Sequence, residues 1–150
     1  MIVQSAMYGE LEIKEDEVVT LTQGIPGFEA FTRYAVIHLD DEGPFRVFQS
    51  LEDTDISFIL VYPYYFFADY DIELTDAVQE ELSIEKPDDA EVWCIVTVQE
   101  HIHDATINLM APLIVNRHNR IGKQVILHES GYSVRQRLLP EQAALSETEG

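Results

Sequence analysis

The chain has 150 residues, 46% of them apolar and 25% charged, the composition of a folded protein with a core. Nine Lys and Arg against 28 Asp and Glu give a formal charge of −19. That balance excludes a nucleic-acid backbone or an anionic membrane as the main partner, because both repel the chain. It points to a basic partner, a bound cation or a solubility adaptation.

The N-terminal MIVQSAMYGELEI has neither a basic n-region nor a long apolar stretch, so no signal peptide is expected. No apolar run approaches the ~20 residues that cross a membrane, and the cytoplasm is the expected compartment. Alternating apolar residues predict strands in EVVTLTQ (17–23), RYAVIHL (33–39) and FRVFQSL (45–51). ISFILVY (56–62) is a continuous apolar run of strand length, as a strand buried on both faces would be. EVWCIVTVQ (91–99), ATINLMA (105–111), PLIVN (112–116) and KQVILHE (123–129) continue the series. Turn residues separate these runs at 24–28, 40–44, 86–90, 120–123 and 129–131. In LTDAVQEELSI, Leu74, Val78 and Leu82 recur every four residues, which predicts one short helix at about 75–83. Thr75 or Asp76 can cap it, with Gln79 three residues after Asp76 in capping-box position. The expected fold is mainly β: a small antiparallel barrel-like domain over 1–139, followed by an acidic, flexible tail at 140–150.

Charge is unevenly spread. Residues 1–116 carry 24 acids and only Lys14, Arg33, Arg46 and Lys86 as cations. Between 117 and 137 the order reverses, with Arg117, Arg120, Lys123, Arg135 and Arg137 against Glu129 alone. The plainest role for that strip is internal counter-charge to the acidic part.

Several residues could carry chemistry. In EHIHD (100–104), a strand would place His101 and His103 on one face, with Glu100 and Asp104 as added oxygen donors for a metal-dependent enzyme. A polar hairpin loop explains the same residues. The single Cys94 sits in an apolar run with no nearby cation, so it is expected as a buried packing residue rather than a nucleophile. No nucleophile-elbow, zincin, phosphate-loop or dinucleotide motif is present.

VYPYYFFADYDIEL (61–74) stands out. Six aromatics fall within 62–70, more than one face of a short strand can bury, and Asp69, Asp71 and Glu73 follow in alternation. From 47 to 85 there are ten acids and no Lys or Arg. Aromatic anchors with an acidic rim suit a protein-binding surface. The expected contact residues are Tyr64, Tyr65, Phe67, Asp69, Tyr70, Asp71 and Glu73, with Asp76, Glu80 and Glu81 on the helix. The alternative is plain core beside a solvated loop.

GIPGFE (24–29), FQSLEDTDISFIL (48–60) before Pro63, FFADYDIEL (66–74), EVWCIVTV (91–98), INLMAPLIVN (107–116), and QVIL (124–127) before Tyr132 occur in this order. In these motifs the chain resembles the flagellar assembly factor FliW family across residues 1–139. The resemblance implies a β-barrel-like cytoplasmic protein with no enzymatic activity and no cofactor. It implies binding to the basic RNA-binding dimer CsrA away from its RNA site, relieving repression of flagellin messenger RNA. It also implies sequestration by flagellin, no direct contact with nucleic acid or membrane, and a monomeric free state. Gly24, Gly27 and Pro26 are expected to shape a turn, Phe28 to plug the core, and Asn108 and Asn116 to satisfy backbone groups.

Overall fold

The structure, a computed structural model, describes residues 1–38, 43–98, 100–128 and 130–139. The expected tail at 140–150, residues 40–42 of the 40–44 turn, and Glu129 of the 129–131 turn lie outside the described residues. The strands are β1 (Ile2–Ser5), β2 (Gly9–Glu12), β3 (Val18–Leu21), β4 (Arg33–His38), β5 (Phe45–Ser50), β6 (Ser57–Val61), β7 (Ala90–Thr97), β8 (Thr106–Ile107), β9 (Leu113–Asn116), β10 (Ile121–Gln124) and β11 (Gln136–Arg137). The helix α1 spans Asp76–Glu81.

Strands β3 to β7 form an antiparallel meander. β7 then pairs with β9, β9 with β10, and β10 with β3, closing a seven-stranded barrel. The mainly β, barrel-like expectation holds. Antiparallel pairing holds at every junction of the ring except β3–β10, where Ile121 faces Thr20 and Gly122 faces Leu21 in parallel. A closed ring with an odd number of strands cannot alternate direction throughout, so one junction must be parallel.

Strand alternation sorts the core into an inside and two outer layers. Tyr34, Val36, Phe48, Leu60, Leu113 and Val115 fill the barrel, with the Tyr34 and Phe48 rings stacked 4.2 Å apart. Burial pushes the Tyr34 hydroxyl up to about 12, aided by the nearby Glu52 charge. The outward residues Ala35, Ile37 and Val47 lie under the β1–β2 hairpin with Val3 and Ile13. The outward residues Val61, Val92, Cys94, Val96 and Ile114 lie under α1 and the aromatic segment. The apolar run at 56–62 reads as it does because Leu60 faces in while Val61 packs in the outer layer. Cys94 is fully buried, which pushes its thiol up to about 12 and leaves it unreactive.

α1 is shorter than the expected 75–83. Thr75 caps it, its hydroxyl accepting from the Val78 N–H at 3.2 Å. The Asp76–Gln79 capping box does not form; Gln79 Nε2 instead donates to the Leu74 carbonyl at 2.8 Å. The chain leaves the helix at Ser83, whose φ of 58° lets Ser83 and Ile84 donate back to Glu80 and Gln79. Phe28 is not a core plug. Gly27 (φ 89°) turns the chain so that Ile25 takes the buried place. Phe28 sits at the barrel rim, edge-on to Phe58 at 5.2 Å. Among the described residues, no helix is long and apolar enough to cross a membrane.

The closing seam has little room. A Cβ on Gly122 would stand 2.6 Å from the Ile114 carbonyl oxygen and 2.9 Å from Val115 Cγ2. Gly122→Ala is expected to destabilise the fold by about 1–3 kcal/mol in urea unfolding, because neither the ladder carbonyl nor the interior valine can give way freely. An unchanged midpoint would show that the seam is looser than described.

Candidate functional site

After β6 the chain turns through Pro63–Tyr65 and runs extended to α1. Pro63 accepts from the N–H groups of Phe66 and Phe67, which packs the aromatic residues into a compact knot. Tyr70 is buried at its centre: its hydroxyl donates to the Leu109 carbonyl at 2.7 Å, and its ring meets Tyr132 at 4.8 Å. Burial, and then its neighbour Cys94, push its hydroxyl far up. The Asp71 N–H donates to the Tyr132 hydroxyl at 2.9 Å, holding the exposed acids of the segment outward.

The expected contact residues therefore separate. Tyr65 is 68% exposed, and Asp69, Asp71, Glu73, Asp76 and Glu80 all face solvent. Tyr64 and Phe67 are half-buried against the core. Tyr70 is a core residue and presents no surface, because its hydroxyl anchors the segment to Leu109. Glu81 is exposed but engaged, accepting from Thr22 Oγ1 at 2.6 Å and Lys123 Nζ at 3.0 Å. The Thr22 hydroxyl and then Lys123 hold its carboxyl below the usual range.

Beside this segment lies a groove of about 490 Å³. Tyr62, Tyr64, Ile72 and Leu74 form one wall, the Glu85–Asp88 turn the other, and the start of β7, including Trp93, the floor. Sequence reasoning missed the second wall and the floor. The odd positions Glu91, Trp93 and Ile95 of β7 point opposite to Val92 and Cys94, and that alternation was the available signal. Trp93, Tyr62 and Tyr64 form an aromatic row with centroid spacings of 6.2 and 5.3 Å, and the Arg46 guanidinium lies 5.5 Å from the Trp93 ring. Burial, followed by neighbours including Asp71, raises the Tyr64 hydroxyl.

Asp89 holds the second wall. Its carboxylate is mostly buried, accepts from the Glu85 and Lys86 N–H groups at 3.1 and 3.2 Å, and bonds His118 Nε2 at 2.9 Å. Burial alone would raise its pKa; the Glu85 N–H, His118 and the Lys86 N–H outweigh it and leave the carboxyl below its usual range. Asn116 ties the helix end to the barrel by donating to the Leu82 and Ser83 carbonyls, and Asn108 accepts from the Ala111 N–H. Both asparagines thus serve backbone groups as expected.

The basic strip divides in two. Arg120 pairs with Glu91 at 2.9 Å and Lys123 with Glu81 at 3.0 Å, as internal counter-charges do. Arg117, Arg135 and Arg137 pair with no carboxylate among the described residues. EHIHD does not form a strand: Asp104 donates to the His101 carbonyl in a 3₁₀ turn, with His101 exposed and His103 half-buried. Among the described residues, no group of three or more His, Cys, Asp or Glu could hold a metal.

The family model described as FliW protein matches residues 2–138. The chain belongs to the FliW family. Its relatives include the flagellar assembly factor FliW of Bacillus licheniformis, 39% identical over 91% of this chain and 95% of the relative. The flagellar assembly factor FliW of Bacillus subtilis is 37% identical over 90% of this chain and 94% of the relative. A crystal structure of the flagellar assembly factor FliW superposes with a TM-score of 0.85 at 37% identity, covering 95% of this chain and 99% of that one. The family's barrel is thus the frame on which the aromatic groove is built.

Asp89 offers a direct test of how the groove wall is held. A carboxyl with a lowered folded pKa adds stability above its unfolded value, about 3.9, and loses it as pH falls through the folded value. Asp89→Asn is therefore expected to melt below the parent chain at pH 7, with the gap shrinking as pH drops below about 4. Thermal melts at both pH values check this; a gap independent of pH would remove the carboxylate from the account.

Proposed function

We propose that this FliW-family chain binds the translational regulator CsrA, relieves its repression of flagellin messenger RNA, and is sequestered in turn by flagellin. The observation that carries the reading is the exposed acidic rim, Asp69, Asp71, Glu73, Asp76 and Glu80, beside an aromatic groove on a protein of charge −19. A basic RNA-binding dimer is attracted to such a face, and the attraction steers encounter and weakens with salt. Docked next to an RNA site rather than in it, the chain adds negative charge within a Debye length, about 8 Å, of incoming phosphates. That field opposes RNA binding without occupying the RNA's contacts. The activity is that of a cytoplasmic binding protein rather than an enzyme.

The test is charge reversal of Asp69 and Asp71 to Lys. Both side chains are exposed, and neither makes a hydrogen bond or ion pair among the described residues. CsrA affinity measured by calorimetry is expected to fall by more than about 1 kcal/mol, with a flatter salt dependence and an unchanged melting temperature. Unchanged affinity would take this segment out of the CsrA contact.

A further inference from the structure

A second groove, of about 440 Å³, lies at the opposite end of β6 and β7. It opens where β7 passes from pairing with β9 to pairing with β8. Phe58 and Ile95 from the barrel interior form its floor. Phe28, Ile126 and Val134 stand on its rim at 37%, 50% and 52% exposure. Exposed apolar side chains gathered round a concave site mark a docking surface, whereas single ones scattered over a surface do not.

The charge of this groove sets it apart. The chain holds 28 acids, yet the described residues lining this groove include no carboxylate, and the one charge among them is Arg135. Arg137 follows two residues later on the exposed β11, its guanidinium donating to the His103 carbonyl at 3.2 Å. These are two of the arginines that pair with no carboxylate among the described residues. Glu91 in the first groove and Thr97 in the second are six residues apart on β7, about 20 Å. The first groove is lined by Glu85, Asp88 and Glu91 together with Lys86 and Arg117 and lies beside the exposed acids Asp69, Asp71 and Glu73, whereas the second has no acid among its described lining residues.

We propose that this second groove is a separate docking site for an apolar segment carrying carboxylates beside its apolar stripe, and that it seats flagellin rather than CsrA. The assignment to flagellin rests on the function proposed above. A basic dimer is drawn to the acids Asp69, Asp71, Glu73, Asp76 and Glu80, which outnumber Lys86 and Arg117 at the first groove, and meets Arg135 and Arg137 with no lining acid at this end, so the two partners sort by charge. Apolar side chains enter between Phe28, Ile126 and Val134, while a flanking carboxylate meets Arg135.

The experiment measures binding of purified flagellin monomer and of CsrA, separately, to the wild-type chain and to I126E/V134E. Both positions are half-exposed and outside the strands, so the fold is expected to survive; R135E, on an exposed side chain, provides a second variant should it not. I126E/V134E is expected to weaken flagellin binding at least tenfold and leave CsrA binding within twofold. R135E is expected to weaken flagellin binding several-fold and reduce its salt dependence. Wild-type flagellin affinity in both variants, or an equal loss of CsrA binding, overturns the proposal. A wild-type chain that binds CsrA but not flagellin overturns the assignment of this groove alone. One that binds neither overturns the proposed function beneath it.

Discussion

β7 pairs with two different strands along one edge, and both grooves follow from that. Ala90–Trp93 bond to β9 and close the barrel, whereas Val96 and Thr97 bond to β8 and leave it. Before the strand begins, Asp89 pins the turn that walls the first groove. Where the pairing changes, the barrel end opens and the second groove appears. β7 is the one described strand that lines both. Its inward residues Trp93 and Ile95 serve one groove each while packing in the same barrel core.

Electrostatics sets what each surface can attract. With four cations against 24 acids in the first 116 residues, few counter-charges are available to the acidic face. Arg120 and Lys123 neutralise Glu91 and Glu81, so the helix and the barrel mouth are held by local pairs. Asp69, Asp71 and Glu73 receive no such compensation among the described residues and project a uniform field. Rim charges of this kind act mainly on association rate and partner choice, and the aromatic groove beside them supplies area that can be desolvated. Membership of the FliW family gives the fold and the flagellar context; the charge pattern is the physical ground on which a basic partner is proposed.

Much of the fold was legible because both faces of the barrel wall are buried. Strands at 33–38, 45–50 and 57–61 carry apolar residues on each face, which makes their pattern strong. The β1–β2 hairpin has only Val3, Leu11 and Ile13 turned toward the barrel, too few for its alternation to stand out. ATINLMA yielded only Thr106–Ile107 as strand, because Asn108 bonds the Ala111 N–H and bends the chain. The acidic-aromatic segment was found from its composition. Composition could not show that Tyr70 points into the core, since that depends on a carbonyl 39 residues away. Nor could it show that Glu81 is occupied by Thr22 and Lys123, or that Trp93 and Asp89 complete the groove. Those contacts are long-range and exist only once the barrel has closed.

The measurement closest to the central claim is a titration of this protein into a preformed complex of CsrA with flagellin messenger RNA, with and without flagellin monomer. The account predicts that RNA is released as the protein is added, and that flagellin restores RNA binding by drawing the protein away. RNA that stays bound while a ternary complex forms would contradict the electrostatic exclusion. Release that flagellin does not reverse would contradict the exchange of partners.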